Sequence, residues 1–144
     1  APGHVCLIGI RSYEAAEEAL LARLGVRIFR MDEVRERGLE DIMQDALRIA
    51  TTGTRAFGVS LDIDAIDPVA APGVSTPAAA GLAPNALLEA LRQAAATPGF
   101  AAVELVEYNP VVDTAGRTAA LVAEALAAAL PDAVFSLRRA APSS

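Results

Sequence analysis

The sequence has no lysine and no tryptophan, and it contains a single cysteine and a single histidine. All 12 basic residues are therefore arginine, and no mechanism that needs a lysine amine can operate within the chain. Cys6 has no partner for an internal disulfide. Its apolar neighbours, Val5, Leu7 and Ile8, mark it as a core thiol rather than a nucleophile or ligand. Aromatics make up only 4% of the chain, so the core must be aliphatic. Of the 53% of residues counted as hydrophobic, 33 residues are alanine, which leaves fewer large side chains to bury than that fraction suggests. There is no basic run and the net charge is −6, which argues against nucleic acid and anionic membrane as partners. Long hydrophobic runs are missing too. The longest, Thr118 to Leu130, carries Glu124 and is too short to cross a bilayer. With no signal-peptide pattern, the expected location is the cytoplasm. Ala1 leads into an apolar strand almost at once, as if the numbering opened inside a larger protein.

What is present alternates in type. His4 to Ile10 reads as a buried strand, and Tyr13 to Leu24 as an amphipathic helix stopped at Gly25. Val26 to Phe29 or Met31 is a second strand, Leu39 to Ala50 a helix, and Ala56 to Ile63 a third strand. Pro68, Pro72, Pro77 and Pro84, with Gly73 and Gly81, make the stretch from Ala65 to Pro84 an irregular loop. Asn85 to Ala96 is helical, Phe100 to Val106 is a fourth strand, and Thr114 to Leu130 is a last helix capped at Asp113 or Thr114. Strands and helices in this order predict an α/β fold, a mainly parallel sheet with helices on both faces. Residues 1–137 read as one domain and 138–144 as a tail.

The strand that enters GVSLDIDAIDPVAAPG ends in three carboxylates, Asp62, Asp64 and Asp67. In open α/β sheets the ligand site lies beyond the carboxyl ends of the strands, so Asp62, Asp64 and Glu107, at the end of the fourth strand, should face one site. On an extended backbone Asp62 and Asp64 point to the same side and form a chelate for Mg²⁺ or Mn²⁺. A solvated strand end is the plain alternative. A calcium loop of the EF-hand kind needs glycine at its sixth position, where Asp67 stands. A phosphatase of the aspartyl-phosphate kind needs the absent lysine, and a nucleotide-sugar transferase has nothing further in its favour.

The string Ser60 to Pro68, followed by Ala71-Pro72-Gly73-Val74-Ser75-Thr76-Pro77 and Gly81-Leu82, resembles the pattern of the ureohydrolase family of arginases, agmatinases and formimidoylglutamases. Val106-Glu107-Tyr108-Asn109-Pro110 with Asp113, and Ile8-Gly9-Ile10-Arg11, resemble further elements of that family's second half. The resemblance implies a three-layer α/β/α fold of the arginase kind, present in part. It implies that Asp62 bridges two Mn²⁺ ions, that Asp64 ligates one of them, and that Glu107 binds the guanidinium or formimidoyl group. It places Glu14 near a substrate amino group, where a solvated helix-start glutamate is an equal reading. It implies chemistry in which a metal-bridging hydroxide attacks the carbon between the nitrogens and releases urea or a similar amide. Asp67, before proline, should instead fix the loop through backbone N–H groups, with Pro72 and Gly73 shaping the wall of the site.

The family's remaining metal ligands, in G-G-D-H and D-A-H-x-D elements, have no counterpart here, and His4 precedes a strand rather than ending one. The expectation is therefore the C-terminal half of a manganese-dependent enzyme of arginine metabolism, inactive by itself and acting within an oligomer, a trimer or hexamer. Arginine, agmatine and formimidoylglutamate are the candidate substrates. A non-catalytic α/β module that packs against a partner is the competing reading.

Overall fold

A computed structural model describes residues 1–130. Four strands, β1 (Cys6–Ile10), β2 (Arg27–Arg30), β3 (Phe57–Asp62) and β4 (Phe100–Val106), alternate with five helices. These are α1 (Ala15–Leu24), α2 (Met31–Arg37), α3 (Leu39–Thr51), α4 (Pro84–Ala96) and α5 (Arg117–Ala129). The expected boundary between domain and tail, at 137/138, lies outside the described residues.

Both strand pairs are parallel, as helical crossovers require. β1 pairs with β2, with Cys6 opposite Arg27 and Ile8 opposite Phe29. β3 pairs with β4, with Val59 opposite Val103 and Leu61 opposite Leu105. Among the described residues, the two pairs do not join into one sheet. Successive residues of β1 and of β3 instead line the two sides of a cavity of about 780 Å³ floored by Leu39, Met43, Leu47, Leu87 and Leu91. One end of this slot is at His4, whose Nδ1 is buried with no hydrogen-bond partner among the described residues. Its other end is at Arg11, Asp62 and Asp64.

The core is aliphatic, as the composition requires. α3 buries Leu39, Ile42, Met43, Ala46 and Leu47 along one stripe, and α4 buries Leu87, Leu88, Ala90, Leu91 and Ala94. These stripes repeat every three or four residues, so each helix turns one face inward. α4 packs between α3 and α5, with β1 lying on α3 and β4 on α4 and α5. Along β3 burial alternates. Leu61 is buried and Gly58 and Ser60 are exposed, so no described element covers the second face of this pair. Cys6 is half-buried rather than enclosed, and burial pushes its thiol above the usual value.

Further details differ from the reading of the sequence. Helix α2 was not expected, although Asp32 and Glu33 in its first turn and Arg35 and Arg37 in its last complement the helix dipole. His4 belongs to a 3-10 turn, Pro2–His4, ahead of β1. The last helix starts at Arg117, after a short 3-10 turn over Thr114–Gly116. The fourth strand lies where its pattern put it, from Phe100 to Val106.

Candidate functional site

Strand β3 ends at Asp62, and the chain then tightens into a 3-10 turn, Ile63–Ala65. Asp62 and Asp64 are therefore not neighbours on one side of an extended strand, as the spacing of two suggested. The turn itself brings them together, because the Asp64 backbone N–H donates to Asp62 Oδ1 at 2.9 Å. Ile63 and Ile66, each 1% exposed, bury on either side of Asp64 and so anchor the turn by hydrophobic packing. Burial pushes the Asp64 carboxyl above its ordinary value. The charge of Asp62 adds to this, Arg11 partly opposes it, and a hydrogen bond to Asp62 and the charge of Glu107 push it further up. Such a carboxylate pair is repulsive at neutral pH, and a cation between its members would relieve the repulsion.

Glu107 follows directly on β4, exposed and with a backbone φ of 65°. That left-handed conformation in a residue with a Cβ costs on the order of 1 kcal/mol and survives only where the surroundings enforce it. The enforcement is visible. Val74 and Tyr108 form an antiparallel bridge, and the Asn109 N–H donates to the Gly73 carbonyl at 2.8 Å. Tyr108 donates to Asp113 Oδ2 at 3.1 Å. Asp113 in turn accepts from the N–H groups of Thr118 and Ala119, each at 2.9 Å, and so caps the start of α5 from outside its first turn. Burial acts to raise the Asp113 carboxyl, but the hydrogen bonds from Thr118, Ala119 and Tyr108 prevail and hold it below the usual range.

Thr118 is fully buried, and its Oγ1 accepts from the Gly73 N–H at 2.7 Å. Gly73 is needed there. A Cβ would lie 2.8 Å from Asp113 Cβ and 2.9 Å from Thr118 Oγ1. Asp67 has the structural part expected of it. Its Oδ1 accepts from the Val69 N–H at 3.0 Å, and its carbonyl accepts from those of Ala70 and Ala71.

Glu14 sits exposed at the N-cap of α1, and its side chain makes no capping hydrogen bond. His4 lies at the opposite end of the slot from the two aspartates. Among the described residues, no group of three His, Cys, Asp or Glu side chains is placed to hold a metal ion. The donors fit a hard divalent cation in type, being carboxylate oxygens, and fall short of a closed site in number. Sequence reasoning gave no role to Arg11, Tyr108 or Thr118. The first two stand in recognised motifs, whereas Thr118 is recognisable only by its contacts.

These features define a parallel α/β protein with an acidic site at the carboxyl ends of its strands. The model of the Arginase family matches residues 1–130, and the chain belongs to that family. Arginase from Bacillus caldovelox is 36% identical over 120 residues, which is 83% of this chain and 40% of that protein. Its crystal structure superposes with a TM-score of 0.83 over 90% of this chain. The structure of formimidoylglutamase from Bacillus subtilis gives a TM-score of 0.86 at 32% identity, covering 90% of this chain and 41% of the other. A formiminoglutamase of Trypanosoma cruzi, whose structure was determined with manganese, shares the fold at a TM-score of 0.83 and 21% identity. The fold is thus that of the arginases, in part. The chain spans about two fifths of the length of these relatives, 40% and 41% of the two Bacillus proteins.

Proposed function

We propose that this chain contributes one part of a binuclear manganese site that hydrolyses a guanidino or formimidoyl C–N bond. What supports the reading is that Asp62 and Asp64 stand at the carboxyl end of β3 and Glu107 directly beyond its parallel partner β4, inside a stretch matched by the arginase family. Asp62 and Asp64 would hold the metal. A bound manganese pair supplies the acidity that makes water a nucleophile at neutral pH and the positive charge that stabilises the transition state. Glu107, held out of regular structure and exposed, is free to accept hydrogen bonds from a planar cationic group such as a guanidinium. Among the described residues, the shortfall in metal donors and the unpaired edges of β1 and β3 favour completion by a further segment of the same parallel sheet, and the larger protein is proposed to act as an oligomer.

Arginine is the first substrate to try, since the arginase match has the higher identity, 36% against 33% for formimidoylglutamase. Agmatine and formimidoylglutamate follow. The competing reading, a non-catalytic module that packs on a partner, draws on the same unpaired edges and on helix α1, which buries none of its residues. Calorimetric titration with Mn²⁺ separates the two. The manganese reading expects saturable binding that Asp62→Ala abolishes, and urea release by the protein that carries this chain. Equal titrations for the wild type and Asp62→Ala favour the packing module.

A further inference from the structure

Arg11 stands one residue beyond β1, in the other strand pair from β3, yet its guanidinium reaches the turn that carries Asp64. Nη1 donates to the Ala65 carbonyl at 3.1 Å, and Nη2 donates to the Asp64 carbonyl. Two consecutive carbonyls are thus held by one planar fork, a geometry that a lysine ammonium does not reproduce. The same Ala65 carbonyl accepts from the Leu82 N–H at 2.8 Å, and the Asp67 N–H donates to the Leu82 carbonyl at 3.1 Å. A short parallel bridge between Ile66 and Leu82 therefore lies directly behind the fork. Gly81 leaves room for it. A Cβ there would meet Arg11 Nη1, and would lie 2.5 Å from the Ile66 carbonyl carbon and 2.6 Å from the Asp67 nitrogen.

We infer that Arg11 is a positioning residue for the Asp62–Asp64 pair, a fork that fixes the 3-10 turn from across the slot between the two strand pairs. This rests on the manganese reading only for its consequence in metal affinity; the fork itself concerns the metal-free chain. β3 ends at Asp62, so the strand ladder gives Asp64 no support, and two carboxylates so close repel each other when both are ionised. Arg11 offsets both effects. It ties down the backbone of Asp64 through two consecutive carbonyls, and it places a cationic guanidinium beside the pair. Groups that orient metal ligands in this way typically change metal affinity by about 10- to 100-fold when removed.

The test uses the intact chain, with Arg11→Gln, Arg11→Lys and Gly81→Ala. Amide hydrogen exchange is followed at Leu82 and Ile66, with the β3–β4 ladder as internal reference. Mn²⁺ titration is run in parallel. The expected result is exchange at Leu82 faster by about tenfold or more in Arg11→Gln and Gly81→Ala, with the ladder unchanged. Arg11→Lys, which keeps the charge and loses the fork, should resemble Arg11→Gln. Mn²⁺ affinity should fall by about 10- to 100-fold in all three. Wild-type exchange at Leu82 in Arg11→Gln overturns the fork, and so does full rescue by lysine or a uniform loss of protection across the ladder. If wild-type exchange persists while the wild type binds Mn²⁺ and Asp62→Ala does not, only the role of Arg11 fails. If neither protein binds Mn²⁺, the manganese reading fails and the exchange pattern alone decides the fork.

Discussion

The loop between β3 and α4 and the helix α1 invert the usual relation between regularity and burial. The loop is rich in proline and has almost no regular structure, yet Ile66 is 1% exposed, Ala71 0%, Val74 4% and Leu82 5%. Helix α1 is ten residues of good helix formers and buries none of them, with Leu20 at 43% and Leu24 at 45% exposure. Irregular backbone can be buried only if its polar groups find partners, and the loop's do, through Asp67, Thr118, Arg11 and the bridges to Leu82 and Tyr108. The helix satisfies its own backbone and needs no neighbour. The segment that looks least structured in sequence is therefore the one most tightly specified, and it is the one that borders the carboxylates.

This contrast can be broken by mutation. Ile66→Ala should cost about 2–5 kcal/mol in urea denaturation, the range for a large aliphatic side chain removed from a closed core. Gly73→Ala, which drives a methyl group into Thr118 and Asp113, should cost about 1–3 kcal/mol and also weaken Mn²⁺ binding by displacing the loop wall. Thr118→Val keeps the volume but orphans the Gly73 N–H, and should cost about 1–3 kcal/mol with little change in the helical circular dichroism signal.

Asp113 adds a pH dependence. Its folded carboxyl lies below the ordinary value, so its contribution to stability is present above the unfolded pKa of about 3.9 and is lost as pH falls through the folded one. Asp113→Asn should flatten the acid limb of a plot of melting temperature against pH. Smallest of all, Leu20→Ala or Leu24→Ala in α1 should change stability by no more than about 0.5 kcal/mol. A loss at either leucine matching that of Ile66→Ala would mean that α1 is covered in solution, and the contrast would fail.

Much of this was legible beforehand, for local reasons. The strands and the long helices could be read from periodicity, because α3 and α4 each bury one stripe and β3 alternates. The acidic residues could be read because carboxylates at the end of an apolar strand are costly without a purpose. Helix α2 was missed. It is only seven residues long, and it starts directly after β2 with no polar N-cap hydrogen bond to mark it. The relation between Asp62 and Asp64 was read from the wrong backbone. A period of two holds along a strand, and the strand stops at the first of them.

By itself the sequence determined the class of the fold, the order of its strands and longer helices and the identity of the acidic residues, since these follow from local patterns of side-chain type. Tertiary structure alone decided how they are held. Gly73 against Thr118, Arg11 against the carbonyls of Asp64 and Ala65, and Glu107 in a left-handed backbone are relations between residues far apart in the chain or imposed by such residues. No local pattern encodes such relations, because close packing and hydrogen-bond satisfaction are settled only when the separate segments meet.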